Sequence, residues 1–437
     1  MLILAGLIIA GAIVLMVRRV DVRIVLLGAG LAMAILAGTP LIIADTFTRG
    51  MVTAMVAPIC ASMGFAALMN ATGCDRHLVH ALLAPVRRFR WLVTPGGILA
   101  AYLVNMAVPS QASTAAAMGP ILVPLFIASG RTPAVAGAAL VLGASFGGDL
   151  LNPGAQDIQA VAGTANLDAA ALSARVIPAS LAGVVVATIV FTLLHWRRRE
   201  EEEPGRTDDV LIPVASDQAD LKVNWFKAVI PVVPIALLLA AYGGWNPLAW
   251  LVTPPPGEEW RPLVGALPVV RAMLIGAVLG LVVGWREVAR LTRSFFDGMG
   301  AAYASIISLT ITAQCFGAGI GAIGLANALL EAATASNALV PLSAGFPWAL
   351  SLLSGSGSGP ILAFAQTFLV QIGPEGAPVT LGAMACLGGA FGRTMSPVSA
   401  VVVYGSGLVG RQPLAVVKHL VPALLAGAAV SFAVALR

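Results

Sequence analysis

Apolar runs close to the ~20 residues that cross a bilayer as a helix recur along the whole chain. Leu2–Val17, Leu26–Ile43, Leu181–Leu194, Val229–Tyr242 and Ala272–Val283 are examples. This feature restricts the fold more than any other. Inside hydrocarbon every backbone N–H and C=O must be bonded within the protein, and irregular backbone survives only where it is buried or lines a wet cavity. Composition agrees: 10% of the 437 residues are charged and 59% are hydrophobic, whereas a soluble domain carries about 25% charged residues. The expectation is an all-α polytopic membrane protein. Leu2–Val17 has no basic region ahead of it, and Arg18 and Arg19 follow it, so it reads as a retained first helix rather than a cleaved signal. Cys60, Cys74, Cys315 and Cys386 lie in or beside apolar segments without CxxC spacing, as reduced core residues do. The net charge of +5 reports loop orientation, not nucleic-acid binding.

The one long hydrophilic stretch, Trp196–Lys222 (WRRREEEEPGRTDDVLIPVASDQADLK), reads as a linker over residues 196–225. It separates a first repeat, 1–195, from a second, 226–437. Gly119-Pro120-Ile121-Leu122 recurs as Gly359-Pro360-Ile361-Leu362. Each copy follows small and hydroxyl residues, Pro109–Met118 (PSQASTAAAM) in one and Ser354–Ser358 (SGSGS) in the other. Further on, GASFGGDLLNPGA (Gly143–Ala155) is echoed by GGAFGRTMSPVSA (Gly388–Ala400). The first repeat is read as helices near 2–17, 24–44 and 51–70, a hairpin near 91–128, a broken helix near 134–165 and a helix near 176–195. The second follows the same order: 227–243, 266–285, 298–323, a hairpin near 338–371, a broken helix near 376–408, and 413–435. That makes about ten transmembrane helices, counting the broken ones, plus two re-entrant hairpins.

Most of the 25 Lys and Arg then fall in loops near 18–23, 71–90, 129–132, 196–227, 286–293 and 409–418, which the positive-inside rule places in the cytoplasm. The loop before the first hairpin carries Arg76, Arg87, Arg88 and Arg90. Its counterpart at 325–337 carries none, and no Lys or Arg occurs from Ser294 to Gly392. The halves are therefore expected to be inverted, the arrangement of secondary transporters that bind substrate near the midplane.

A hairpin tip halfway through the membrane explains Ser and Gly inside an apolar run. Gly permits the reversal, Pro120 and Pro360 suit the first turn of the returning helix, and that helix start attracts anions. Ser110, Gln111, Ser113, Thr114, Ser354, Ser356 and Ser358 supply further donors for an anionic substrate. Close helix packing through small residues is the alternative. Asp149 and Arg393 each lie four residues before a proline, Pro153 and Pro397, in the two expected breaks. A mid-bilayer charge costs on the order of 2.5–3.5 kcal/mol and needs a reason. Arg393, with Thr394 and Ser396 beside it, suits a substrate carboxylate. Asp149 and Asn152 suit a coupling cation or proton. The alternative is an Asp149–Arg393 ion pair that only ties the repeats together. Asp157 is the weaker candidate, near the end of its helix.

His77, His80, His195 and His419 fall in cytoplasmic loops or at helix ends. His77 and His80, near Cys74 and Asp75, read as solvated loop residues rather than metal ligands. With no His at membrane depth and no HExxH motif, a serine nucleophile has no base, so an enzyme is not expected. Paired inverted hairpins likewise suit alternating access better than a channel.

ASMGFAALMNATGCDRHLVHALLAPVRRFR (Ala61–Arg90), NMAVPSQASTAAAMGPILVPL (Asn105–Leu125), GASFGGDLLNPGA and SGSGSGPILAF resemble the anaerobic C4-dicarboxylate uptake carriers of the DcuC type, within the ion transporter superfamily. The resemblance covers most of the chain. It implies an inner-membrane carrier of succinate, fumarate, malate or aspartate, working by symport or exchange. It also implies a scaffold and a moving transport domain with both hairpins and both broken helices, acting as an elevator and in related carriers often as a homodimer. The hairpin tips around Ser110–Thr114 and Ser354–Ser358 would hold the substrate. The acid of the GGDLLNPG string falls on Asp149, where a longer Glu is expected in the better-known carriers. No cofactor or metal is expected, only a coupling cation, Na+ or H+. Cation/proton antiport, or carriage of citrate or an aminobenzoyl-glutamate-like conjugate, remains open.

Overall fold

A computed structural model describes residues 2–18, 20–53, 56–87, 92–108, 110–195, 222–242, 245–257, 266–324, 338–372 and 377–437. Most of the expected linker and the loop at 325–337 lie outside these residues. All regular structure among the described residues is helical. The first half runs α1 (Leu2–Val17), α2 (Val22–Leu36), α3 (Leu41–Gly50), α4 (Val56–Thr72) and α5 (Cys74–Arg87). It continues with α6 (Val93–Ala107), α7 (Gln111–Ala128), α8 (Pro133–Ser145), α9 (Gln156–Ala165) and α10 (Ala169–Leu194). The second half holds the short α11 (Trp225–Val229), α12 (Val233–Tyr242), α13 (Ala249–Val252), α14 (Leu267–Val283), α15 (Val288–Ala302) and α16 (Ser308–Ala322). It ends with α17 (Leu339–Ser354), α18 (Ser358–Thr367), α19 (Pro378–Met395), α20 (Ala400–Leu408) and α21 (Pro413–Ala435).

Seven helical stretches among the described residues are long and apolar enough to cross a membrane, or eight if α4 and α5, bent by 76°, form one span. The shorter apolar helices include α6, α14 and α17. Three buried clusters organise the packing. The largest joins α5–α10 to α17–α21, so α6–α7, α17–α18 and both interrupted helices share one core. A second cluster binds α1, α2, α3, the start of α4, the end of α15 and α16, and reaches Ala160 of α9 and Leu362 of α18. The third joins α4 and the start of α5 to α12–α15.

Close backbone crossings knit the largest core together, and they recur in parallel. A Cβ on Gly143 of α8 would lie 2.5 Å from the Ile98 carbonyl oxygen of α6, and one on Gly148 2.2 Å from that of Tyr102. On α19, a Cβ on Gly388 would lie 2.2 Å from the Ala344 oxygen of α17, and one on Gly392 2.2 Å from that of Trp348. Each interrupted helix thus lies against the first helix of a hairpin through two carbonyls four residues apart and two glycines, five residues apart in the first half and four in the second. Contacts this short tolerate only glycine.

Several local expectations change. The helix expected over 24–44 ends at Leu36, because Gly38 (φ +76°) and Pro40 stop it and α3 starts afresh. Residues 74–87, expected as loop, form the amphipathic α5. His80 on it is buried rather than solvated, and the His77 Nδ1 accepts the Asn224 N–H at 3.2 Å. The helix expected over 298–323 begins ten residues earlier as α15 and passes into α16 through a π-helical turn, Tyr303–Ile307. Its charged, amphipathic first half hid its start in the hydropathy pattern. The four cysteines are free and buried.

Candidate functional site

The first interrupted helix stops at Ser145 and resumes at Gln156, with a short 3-10 turn at Asp149–Leu151 between. The second break is shorter: α19 runs unbroken through Arg393 to Met395 and α20 starts at Ala400. Arg393 therefore sits in a helical last turn, while Asp149 sits in irregular backbone. The two meet. Arg393 Nη2 donates to Asp149 Oδ2 at 2.9 Å and to Oδ1 at 3.2 Å. Its Nη1 donates to Asp157 Oδ2 at 3.3 Å. Asp149 is 1% exposed, Asp157 2% and Arg393 5%. The buried Arg393 Nε has no hydrogen-bond partner among the described residues. Counted formally, two carboxylates on one guanidinium leave one negative charge in excess, where unpaired charge costs several kcal/mol.

Each hairpin contributes a donor from the first residue of its returning helix. Gln111, which opens α7, donates from Nε2 to Asp149 Oδ2 at 2.6 Å. Ser358, which opens α18, donates from Oγ to Asp157 Oδ1. The second tip can approach because Gly357 has no side chain: a Cβ there would lie 3.0 Å from both Cδ and Nη1 of Arg393. Asn105, near the end of α6, fixes the first break by accepting the Asp149 N–H at 3.0 Å.

Gln111, Ser358, Asp149 and Arg393 are thus brought together. Asp157 is a correction to the weaker place expected for it. It does lie near a helix end, in the first turn of α9, but that end points into the cluster, where the helix dipole favours a carboxylate. Asn105 was missed, though an amide inside the apolar run AYLVNMAV was the signal that could have found it. The remaining expected residues hold the tips and breaks in shape. Ser110 caps α7 by accepting the Ser113 N–H at 3.3 Å. Thr114 Oγ1 donates to the Val108 oxygen at 3.2 Å. Ser354 Oγ donates to the Leu350 oxygen at 2.7 Å and accepts the Ser356 N–H at 3.3 Å. Thr394 Oγ1 lies 2.8 Å from Ser145 Oγ, joining the two breaks. Ser396 Oγ accepts the Val398 N–H at 3.4 Å, and Asn152 Oδ1 accepts the Gly154 N–H at 2.8 Å. Among the described residues no cluster of His, Cys, Asp and Glu fits a metal ion.

Apolar spans enclosing a sealed polar cluster, with hairpins and interrupted helices converging on it, belong to a helical membrane transporter and not to an enzyme. The chain belongs to the C4-dicarboxylate anaerobic carrier family, DcuC, whose profile matches residues 33–436. It is a multi-pass protein of the inner membrane. An uncharacterized transporter of Haemophilus influenzae is 27% identical over 281 residues, 63% of this chain and 96% of that protein. The anaerobic C4-dicarboxylate transporter DcuC of Escherichia coli K12 is 24% identical over 385 residues, 85% of this chain and 78% of that one. The fold is shared with the YdaH transporter of Alcanivorax borkumensis, whose crystal structure superposes with a TM-score of 0.54 at 18% identity, covering 90% of this chain and 86% of that chain.

Proposed function

We propose that this transporter carries C4-dicarboxylates such as succinate, fumarate, malate or aspartate, and that the Asp149–Arg393–Asp157 cluster is where charge is balanced during transport. One observation carries the reading: a single guanidinium is shared by two carboxylates, each of which also receives the first donor of a different hairpin. A dicarboxylate that takes the guanidinium from Asp149 or Asp157 leaves that acid without its partner. That acid then needs a proton or a cation, since a buried unpaired carboxylate is costly. Substrate and coupling ion are thereby linked by electrostatics, which favours symport. Ser110, Gln111, Ser113, Thr114, Ser354, Ser356 and Ser358 at the tips, with Thr394 and Ser396, bind the substrate. Asp149 and Asn152 serve the coupling ion, and Asp157 joins them.

In this reading the halves are inverted repeats of about ten spans, the first hairpin entering from the cytoplasm and the second from outside. The matched glycine crossings at 143 and 148 and at 388 and 392 support the repeat. The core shared by both hairpins and both interrupted helices is the moving domain of an elevator. Its border with α1, α2 and α16 is apolar where Ile9, Leu26 and Phe316 face Phe346, Leu350 and Pro360 across a gap of about 40 Å³. A second reading, cation/proton antiport, is favoured by the excess negative charge and by the occupation of both Arg393 Nη atoms.

Uptake of labelled succinate into proteoliposomes tests this, with and without internal succinate and with imposed sodium or proton gradients. Uptake lost in Arg393→Gln and blocked by excess fumarate is expected. Cation exchange that survives this substitution, without succinate uptake by the wild type, would put antiport in its place.

A further inference from the structure

A second polar site lies far from the cluster. The end of α4, the start of α11, the end of α14 and the start of α15 enclose a cavity of about 350 Å³, lined among others by Thr72, Lys227, Trp285, Arg286, Glu287 and Arg290. We propose that it binds the phosphodiester headgroup of an anionic membrane lipid. Three cations face one carboxylate here, so two positive charges are in excess. Two cations are held in place by the carbonyls that α4 leaves open at its C-terminus: Arg290 Nη2 donates to the Ala71 oxygen at 3.2 Å and Lys227 Nζ to the Thr72 oxygen at 3.5 Å. Arg290 Nε also donates to Glu287 Oε2 at 2.5 Å. Arg286 forms no hydrogen bond among the described residues, and its guanidinium lies 5.6 Å from the centre of the Trp285 ring. One donor group is therefore free, beside two that are preorganised.

The surroundings select a lipid over a soluble anion. At about 350 Å³ the cavity is the size of a small-ligand pocket, enough for a phosphodiester and its glycerol. Trp285 is 68% exposed beside the cations, Trp225 and Phe226 are also exposed on α11, and Val282 and Val288, next in sequence to the lining Val283 and Glu287, are exposed as well. Exposed indoles beside Lys and Arg mark the headgroup level of a bilayer, and the aliphatic flank offers acyl chains a surface. The residues that line the cavity come from three stretches far apart in sequence, around 71–72, 227 and 283–291. The Lys and Arg bias assigns the ends of all three to the cytoplasmic side, whose leaflet is rich in anionic lipid and attracts basic residues.

The test uses the purified full-length protein in a neutral detergent and follows its thermal unfolding. Phosphatidylglycerol, phosphatidylcholine and inorganic phosphate are titrated separately. Phosphatidylglycerol is expected to raise the midpoint in a saturable way, and the other two to leave it unchanged. At about 1 kcal/mol per cation near the surface, each lost charge weakens apparent affinity about fivefold. Lys227→Gln with Arg286→Gln is therefore expected to weaken phosphatidylglycerol binding about 25-fold. Glu287→Gln removes the competing carboxylate and is expected to tighten it about fivefold, which decides the matter should the double variant fail to fold. Unchanged affinity in the folded double variant or in Glu287→Gln would overturn the proposal. So would an equal effect of phosphatidylcholine, or an equal effect of inorganic phosphate, which would make this a site for a soluble anion.

Discussion

Asp149 and Asp157 share Arg393 unequally, and isosteric substitution exposes the difference. Asp149 takes two charged hydrogen bonds from Nη2, at 2.9 and 3.2 Å, while Asp157 takes one from Nη1 at 3.3 Å. Changing either acid to Asn removes the excess negative charge, so that gain is common to both variants. What differs is the loss. Asp149→Asn turns a two-point charged contact into one bond to a neutral amide oxygen that Gln111 also reaches, with hydrogen bonds to charged groups worth about 1.5–3 kcal/mol each, and leaves the buried guanidinium leaning on its longer partner. Asp157→Asn forfeits one long bond and keeps Ser358 as a donor to the new amide oxygen. The two variants are expected to differ by about 2 kcal/mol, with Asp149→Asn the less stable. Thermal unfolding of both in the same detergent at pH 7 reads this directly. For 437 residues a difference of about 2 kcal/mol corresponds to about 2 °C in midpoint, so that of Asp149→Asn should fall by about that much while that of Asp157→Asn stays near or above the wild type. Equal losses, or a larger loss for Asp157→Asn, would refute the idea that Asp149 is the main partner and that the cluster holds a surplus charge.

Other outcomes follow from the same structure. Arg393→Gln strands two buried carboxylates and should cost about 3–5 kcal/mol. Restoring neutrality by adding Asp149→Asn and Asp157→Asn should recover much of the stability but no succinate uptake, as measured by unfolding and proteoliposome assays. Gly388→Ala places a methyl 2.2 Å from the Ala344 oxygen and should destabilise by about 1–3 kcal/mol or more. Gly345→Ala on α17, with nothing within 4 Å, should be neutral or stabilising by up to about 1 kcal/mol; parallel melting curves compare them. At the α2 N-terminus, side-chain and backbone hydrogen bonds with Arg23 hold the Asp21 carboxyl down at about 2, from 3.8. Because the folded value is the lower one, its stabilisation is present above about pH 4 and fades as pH falls towards 2. Asp21→Asn should therefore cost under about 1 kcal/mol at neutral pH and progressively less as pH falls through about 2, which unfolding at several pH values measures.

The tip and break regions were legible because they violate the rule of their surroundings. Gly, Ser and Pro within apolar runs at 109–120, 146–155, 354–360 and 392–399 have no other easy explanation in a bilayer, and the helix ends fall beside them. Arg393 stood out for the same reason, a charge in a stretch without any other. Asp157 did not, because its partner lies 236 residues away and only the packing of α9, α18 and α19 brings them together. α5 was lost for the opposite reason: its charges suit a loop as well as the polar face of an amphipathic helix. Hydropathy finds what faces lipid, and it has little to say about where helices run along the surface.

The two hairpin tips are each bonded to their own carboxylate, and both carboxylates draw on one guanidinium. That arrangement has a thermodynamic consequence. Any displacement of the first tip changes how much of Arg393 is available to Asp157, and any displacement of the second changes what is left for Asp149. Coupling free energies are reciprocal, so the preference of one tip for its seat must depend on the other tip by the same amount in both directions. Information about each half of the chain thus reaches the other through one side chain, without a moving lever between them.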